Sequence, residues 1–189
     1  MKIILGSSSA PRQKILKDLG YEFEIIKPDL DEKSIRRGKP EDLVLAIANA
    51  KADNVLAQVK EPAIVITADS VVVINGKIIE KPVSKEEAYK FLAGISAGEP
   101  QTLVSALVVT NTATGKRLSG VDEGTVIFFE IPEDIIKDFV EGGEAFNHAG
   151  AFAIQNPIFY DRIKEIKGEF ETIAGLSKTL VQKFIKELS

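Results

Sequence analysis

A strand covered on both faces is predicted by the run Ala63-Ile64-Val65-Ile66-Thr67-Ala68-Asp69-Ser70-Val71-Val72-Val73-Ile74. Both of its alternating faces are largely apolar, which is typical of a strand packed on two sides rather than one. Asn75-Gly76 follows at once and is a strong two-residue hairpin signal, and Ile78-Ile79 can form the returning strand. The run therefore predicts a hairpin whose first strand lies inside a sheet.

Helical and strand patterns continue on either side of this hairpin. The sequence before it predicts strands at Lys2–Leu5 and Tyr21–Ile26, with helices at Arg12–Leu19 and Pro40–Val59. The sequence after it predicts helices at 84–92, 132–142 and 177–188, and strands at 101–110, 117–131, 149–154 and 159–166. These elements indicate an α/β fold: a mixed twisted sheet with flanking helices, and mostly antiparallel hairpins in the second half.

The bulk composition excludes several classes of protein. The 189 residues fit one domain, or two small lobes sharing a core. The chain has no cysteine and one histidine, which removes thiolate chemistry and two-histidine zinc motifs. Its net charge of −4 gives no basic footprint for nucleic acid. We find neither a signal peptide nor an apolar run of about 20 residues, so we expect a cytoplasmic protein without a membrane partner.

Two charged residues interrupt apolar patterns. Asp69 lies inside the predicted buried strand, where a carboxylate is costly unless it is paired, hydrogen-bonded, protonated or bound to a metal. Lys51 falls on the apolar stripe of the helix predicted over 40–59, one turn from Ile47 and one turn from Val55. One interpretation is that Asp69 is a functional carboxylate and that Lys51 is a cation turned inward to meet an anionic ligand. The other is that Asp69 lies at the end of a strand and that the ammonium of Lys51 reaches solvent.

Other polar segments suit phosphate chemistry less specifically. The Gly6-Ser7-Ser8-Ser9 loop lies between a strand and a helix, with Arg12 in the first turn, and helix N-termini favour phosphate, although serine loops also simply cap helices. Glu32 belongs to an acidic cluster that can equally be a solvated loop, and Lys81 is held beside a proline. Gly94–Gly98 matches the G-x-S-x-G motif of serine hydrolases, but it follows a helix and precedes a strand, the reverse of what that motif requires.

In chain order, these segments resemble the Maf family of nucleoside triphosphate pyrophosphatases over nearly the whole chain. The resemblance is carried by Gly6–Leu16, Asp29–Lys33, Ala50-Lys51-Ala52, Thr67–Val72, Glu80-Lys81-Pro82 and Ala149–Gln155. It implies one Maf-like domain over 1–189, with a fold similar to inosine triphosphate pyrophosphatases and two lobes around a cleft. It also implies hydrolysis of a nucleoside triphosphate to the monophosphate and pyrophosphate with Mg²⁺ or Mn²⁺, and a link to septum formation.

The resemblance also assigns roles to residues. It implies Asp69 as general base, Asp69 and Glu32 as metal ligands, and Lys51 and Lys81 as catalytic cations. The implied substrate-binding residues are Ser7, Ser9, Arg12, Ser70 and Gln155.

Substrate choice is the part of the resemblance that this sequence leaves open. Ser70 and Gln155 resemble the members that cleave dTTP and UTP. Pro11 occupies a selectivity position at which it matches neither the pyrimidine type nor the 7-methyl-GTP type. A 7-methyl-GTP-type enzyme, or a nucleotide-binding regulator of division with little turnover, therefore remains an alternative. A homodimer is expected by family likeness only.

Overall fold

The computed structural model of the protein describes residues 1–189 and contains a seven-stranded mixed sheet. Its strands are β1 (Lys2–Leu5), β2 (Glu24–Ile25), β3 (Ala63–Ile74), β4 (Lys77–Ile79), β5 (Gln101–Asn111), β6 (Arg117–Phe128) and β7 (Ile163–Lys167). Their order in the sheet is β2-β1-β3-β5-β6-β7, and β4 pairs with β3. β1 is parallel to β2 and β3, whereas β4 and β7 are antiparallel to their partners. The predicted mixed α/β class is confirmed.

Seven α-helices accompany the sheet. They are α1 (Ala10–Asp18), α2 (Pro40–Leu56), α3 (Lys85–Ser96), α4 (Glu133–Glu141), α5 (Pro157–Tyr160), α6 (Phe170–Ile173) and α7 (Lys178–Leu188). α3 is capped at its N-terminus by two reciprocal bonds: Ser84 Oγ accepts from the Glu87 amide at 3.2 Å, and Glu87 Oε2 accepts from the amide of Val83, the residue before the N-cap, at 2.8 Å. None of the helices combines the length and the apolar character that crossing a membrane requires.

The predicted hairpin is present with its turn residues in the expected conformation. Val72 pairs with Ile79, and the connecting Asn75 and Gly76 have φ values of 50° and 74°. Positive φ at both central residues is what a type I′ turn requires, and asparagine and glycine tolerate it best. The first strand of the hairpin is buried along nearly its whole length, as the double-sided apolar pattern indicated.

The strand predicted over 149–154 is wrong, and the strand predicted over 159–166 is wrong in its first half. Residues Ala149–Ala151 form a 3₁₀ turn, because Gly150 and Ala151 have φ values of 64° and 62° that end any extended run. Residues Pro157–Tyr160 form α5, whose N-terminus is capped by the Asn156 side chain. Only Ile163–Lys167 is a strand there. The strand predicted over 21–26 is also shorter than expected, since only β2 pairs.

The chain divides into two compact units. Unit 1 comprises residues 1–70, 104–122 and 175–189. It contains an apolar cluster of Ile4, Val55, Ala63 and Val65, which packs the start of β3 and β1 against α2. The positions of Asp69 and Lys51 within this unit are therefore fixed by elements with buried apolar faces.

Unit 2 comprises residues 71–103 and 123–174. Its core is built around four phenylalanines, Phe128, Phe139, Phe152 and Phe159, whose rings meet edge to face at centroid distances of 5.4 to 5.9 Å. Such contacts add to the stabilisation from burial of the rings. The expectation of one domain over 1–189 stays a prediction.

Candidate active site

Three charged side chains of unit 1 meet at the ammonium of Lys51. Lys51 Nζ lies 2.8 Å from Asp69 Oδ1 and 3.0 Å from Glu32 Oε2. Lys51 and Asp69 are both 7% exposed, whereas the Glu32 side chain is half exposed. A lysine that reached solvent and an aspartate at an ordinary strand bend were the alternatives, and the structure shows a buried ion pair instead.

Burial raises the pKa of the Asp69 carboxyl above its ordinary value. The positive charges of Lys51 and Arg12 and the hydrogen bond from Lys51 act in the opposite direction, while the charge of Glu32 raises this pKa further. Burial favours the neutral form of a carboxyl group, so Asp69 holds a proton more readily than an exposed aspartate. A carboxylate with a raised pKa is suited to accept a proton from water.

The local sequence explains why α2 places Lys51 against β3. Val44, Ile47, Ala48 and Val55 are buried on the same helical stripe as Lys51, so packing of the stripe turns the lysine inward. Thr67 Oγ1 also donates a hydrogen bond of 2.8 Å to the Ala48 carbonyl oxygen, close to Lys51 on the helix and Asp69 on the strand. This contact fixes the position of α2 along the length of β3.

Arg12 ties four parts of unit 1 together. Its Nε donates to the Gly175 carbonyl oxygen at 2.9 Å, and its Nη1 donates to the Ala68 carbonyl oxygen at 2.9 Å and to Ser7 Oγ at 3.4 Å. Its Nη2 donates to Ser70 Oγ at 3.2 Å. All of these acceptors are neutral, and Arg12 makes no ion pair. Burial lowers the pKa of the Arg12 guanidinium, and the charges of Asp69 and Glu32 oppose that shift.

The serine loop presents one hydroxyl donor beside Arg12. Ser7 is buried, and its Oγ accepts from the Ser9 amide at 3.2 Å as well as from Arg12. Both contacts use Ser7 Oγ as acceptor, which leaves its hydroxyl proton for a ligand oxygen. Ser9 is the N-cap residue of α1 but makes no side-chain cap, and Pro11 follows in the first turn of α1. Gly6 precedes the loop where an added Cβ would lie 2.6 Å from Thr67 Cγ2.

Ser70 is partly buried, and its hydroxyl makes three hydrogen bonds within the protein. Its Oγ donates to the Gly175 carbonyl oxygen at 3.3 Å and accepts from Arg12 and from Ser105 Oγ, the latter at 2.9 Å. One hydroxyl has one proton and two lone pairs, so these three contacts use its capacity. Ser70 therefore acts on the orientation of Arg12.

Sequence reasoning missed two residues of this network, Ser105 and Gly175. Ser105 is a buried polar residue within the apolar stretch Val104–Val109, the same kind of interruption that revealed Asp69. Gly175 has a φ of 106°, a conformation that favours glycine, and its carbonyl accepts from both Arg12 and Ser70. Nothing local in the sequence indicates that its carbonyl would be shared in this way.

Lys81 and Gln155 belong to unit 2. The Gly150 amide donates to the Glu80 carbonyl oxygen at 3.1 Å, which joins the segment containing Lys81 to the segment before Gln155. The pKa of His148 is lowered by burial and by the positive charge of Lys81, and Glu144 opposes that shift. The roles expected of Lys81, Gln155 and Ser9 stay predictions.

The rejected serine-hydrolase motif has a structural role. Ser96 ends α3, and its Oγ both accepts from the Ile131 amide at 2.8 Å and donates to the Ile131 carbonyl oxygen at 3.0 Å. A hydroxyl that bonds both backbone groups of one residue connects the end of α3 to the segment before α4. This agrees with its position after a helix.

The two carboxylates fit a hard divalent cation. Lys51 takes one oxygen of each, Asp69 Oδ1 and Glu32 Oε2, which leaves Asp69 Oδ2 and Glu32 Oε1 as possible ligands. No group of three or more aspartate, glutamate or histidine side chains gathers in the structure. Mg²⁺ typically uses one or two carboxylates and completes its shell with water and substrate phosphates, so a pair of carboxylates is a sufficient protein contribution.

These residues form a candidate site for a polyphosphate, with two carboxylates, a lysine, a serine hydroxyl and an arginine that makes no ion pair. The sequence model described as Maf-like protein matches residues 2–188. The chain belongs to the Maf family.

Named relatives support this assignment along the whole chain. A 7-methyl-GTP pyrophosphatase of Dictyostelium discoideum is 37% identical over 99% of this chain and 97% of its own length. A dTTP/UTP pyrophosphatase of Clostridium beijerinckii is 35% identical over 100% of both chains. A nucleoside triphosphate pyrophosphatase of a Synechococcus strain is 34% identical over 98% of this chain and 93% of its own. Among solved structures, the Staphylococcus aureus Ham1 protein covers 100% of both chains at 18% identity and a TM-score of 0.48.

Proposed function

We propose that this protein hydrolyses a nucleoside triphosphate to the monophosphate and pyrophosphate. The observation that carries the proposal is the buried pair of Lys51 and Asp69, with Glu32 on the same ammonium, in a chain that belongs to the Maf family. Relatives named as pyrophosphatases match it over nearly their full lengths.

Asp69 is the base in the proposed reaction. Its carboxylate accepts a proton from the attacking water, the water oxygen forms a bond to the α-phosphorus, and the bond from that phosphorus to the bridging oxygen of the β-phosphate breaks. Pyrophosphate leaves with the electron pair of the broken bond. The raised pKa of Asp69 makes proton acceptance more favourable than at an exposed aspartate.

The cations and the serine hold the phosphates. Arg12 has no carboxylate partner, so its charge attracts the phosphate chain, and the free hydroxyl proton of Ser7 donates to a phosphate oxygen. Lys51 lowers the pKa of Asp69 against the effect of burial and holds the carboxylate in place. Lys81 is proposed to neutralise charge on the leaving pyrophosphate. Asp69 and Glu32 would hold Mg²⁺ or Mn²⁺, which would supply Lewis-acid stabilisation of the phosphate charge.

The substrate is proposed to be a pyrimidine nucleotide such as dTTP or UTP, as named for the Clostridium beijerinckii relative. A second candidate is 7-methyl-GTP, because the Dictyostelium discoideum relative that acts on it by name is 37% identical. Ser70 is held by Arg12, Ser105 and Gly175, so its influence on base selection would pass through Arg12 rather than through direct contact.

A substrate panel tests the proposal. Purified protein with Mg²⁺ or Mn²⁺ is offered dTTP, UTP, CTP, 5-methyl-UTP and 7-methyl-GTP, and pyrophosphate release is followed with a coupled inorganic pyrophosphatase. We expect cleavage of at least one triphosphate and a loss of about 10²- to 10⁴-fold in kcat for Asp69→Asn. Ser96→Ala is the matched control and keeps turnover. Nucleotide binding without cleavage across the panel would replace the enzyme with a nucleotide-binding regulator.

A further inference from the structure

The segment that carries Glu32 has few attachments to the rest of unit 1. Glu32 begins a 3₁₀ turn, Glu32–Ser34, that is stabilised from within by Asp31, whose Oδ1 accepts from the Lys33 amide at 3.2 Å. Every residue from 31 to 34 is exposed, so the turn has no buried side chain to anchor it. Hydrogen bonds within the turn close it, so its placement on unit 1 depends on polar contacts made elsewhere in the segment.

Those contacts come from one side chain of α2. Asn54 Nδ2 donates to the Asp29 carbonyl oxygen at 2.8 Å, and Asn54 Oδ1 accepts from the Asp29 amide at 3.0 Å. The amide side chain thus binds both backbone groups of one residue, three positions before Glu32. Gln58 Nε2, one helical turn further on, donates to Asn54 Oδ1 at 3.2 Å and supports its orientation.

Asn54 and Lys51 lie on adjacent faces of the same helix, three residues apart, where side chains are neighbours. α2 therefore contacts the segment twice: through Asn54 at the Asp29 backbone and through Lys51 at the Glu32 carboxylate, at 3.0 Å. The first contact is neutral and fixes the backbone, and the second is ionic and engages the functional group.

We propose that Asn54 is a positioning residue that holds the Glu32 carboxylate beside Lys51 and Asp69. Without the Asn54 contacts, the half-exposed Glu32 side chain would keep only its ion pair with Lys51, and an isolated pair of that kind contributes little to holding a loop. This inference rests on the proposed function for the role of Glu32 in holding a divalent cation.

A double-mutant cycle tests the inference in the full-length protein. Asn54→Ala is expected to lower kcat/KM and to weaken Mn²⁺ binding by about 10-fold each, the lower end of what loss of a supporting residue costs a metal site. In a Glu32→Gln background, Asn54→Ala is expected to change both quantities by less than about twofold, because the group that it positions is already disabled. Mn²⁺ binding is measured by electron paramagnetic resonance with Mn²⁺ alone.

Asn49→Ala is the matched control. Asn49 is the same residue type on the same helix, but its side chain donates to the Leu45 carbonyl oxygen and accepts from Arg117, away from residues 27–36. It is expected to leave Mn²⁺ binding unchanged. Equal losses from Asn54→Ala with and without Glu32, or no loss at all, would overturn the inference. Absence of turnover in the unmodified protein would instead remove the proposed function, and the Mn²⁺ titrations would still decide the role of Asn54.

Discussion

Replacing Asp69 by asparagine should change how the stability of the metal-free protein depends on pH. Asp69 is 7% exposed, and burial outweighs Lys51 and Arg12 in setting its pKa, which is raised from the ordinary value of 3.8. Each unit by which the folded pKa exceeds the unfolded one is equivalent to about 1.4 kcal/mol of folding free energy. An asparagine side chain has no proton to exchange in this pH range, so the substitution removes this contribution while preserving the side-chain shape.

The sign of the stability change with pH follows from proton binding. Between pH 3.8 and the folded pKa, the folded protein binds more protons at Asp69 than the unfolded chain does. The free energy of unfolding contributed by Asp69 is therefore fully present below pH 3.8 and is lost as pH rises through the folded pKa. Asp69→Asn should consequently gain stability relative to the unmodified protein as pH rises through that window, and the difference should become constant above it.

Urea denaturation followed by circular dichroism, in EDTA and at half-unit steps from about pH 4 upward, measures this difference. Subtracting the two proteins at each pH removes the titration of every group that the substitution leaves unaffected. A difference that does not change with pH would mean that the pKa of Asp69 is the same in the folded and unfolded protein, and would refute the raised pKa. A difference of opposite slope would mean that Lys51 and Arg12 outweigh burial, so that the folded pKa lies below 3.8.

Two further substitutions examine the elements that place the site. Lys51→Met removes the nearest cation of Asp69 and leaves a buried carboxylate without its partner. The free energy of unfolding at pH 7, measured in urea, should therefore fall by about 3 to 5 kcal/mol. A loss below about 1 kcal/mol would contradict the buried pair. Gly6→Ala should cost about 1 to 3 kcal/mol, because its Cβ would lie 2.6 Å from Thr67 Cγ2. Thermal denaturation measures this loss. Gly38→Ala, whose added Cβ would meet nothing within 4 Å, is the control and should show no such loss.

Long segments with one dominant pattern were predictable from the sequence. The apolar run of β3 with its Asn75-Gly76 turn, and the stripe of α2 with proline at its start, correspond to the observed elements within three residues at their ends. In each case the local preference and the burial pattern favour the same conformation. The agreement of these two influences is what makes a segment predictable.

The segment from 149 to 166 was less predictable because its conformation depends on individual residues. Positive φ at Ala151 is uncommon for a residue with a side chain and has no signature in the sequence. The cap formed by Asn156 ahead of Pro157 is a recognisable helix start, but α5 has only four residues, too few for a helical period to show. A short apolar run there fits a strand and a helix equally well.

In the candidate site, too, some residues were predictable from a local sequence pattern and others were not. Asp69 and Lys51 were found because each breaks an apolar pattern, which is a property of the sequence around it. The contacts of Arg12 with Gly175 and those of Asn54 with Asp29 join residues 163 and 25 positions apart, and no local pattern encodes them. Sequence therefore indicates which side chains carry charge into the core, whereas only the fold shows what orients them.

Lys51 stabilises the two carboxylates when no divalent cation is bound. A buried carboxylate without a counter-ion is unstable, so a site built from Asp69 and Glu32 only would become protonated or rearrange whenever the cation left. Lys51 stays in both states and holds one oxygen of each carboxylate at 2.8 and 3.0 Å. Arg12 adds a second cation, and Asp69 and Glu32 act on it only through space because it makes no ion pair with either. The negative charge of a triphosphate then requires additional positive charge, which is the physical reason for expecting nucleotide and divalent cation to bind together.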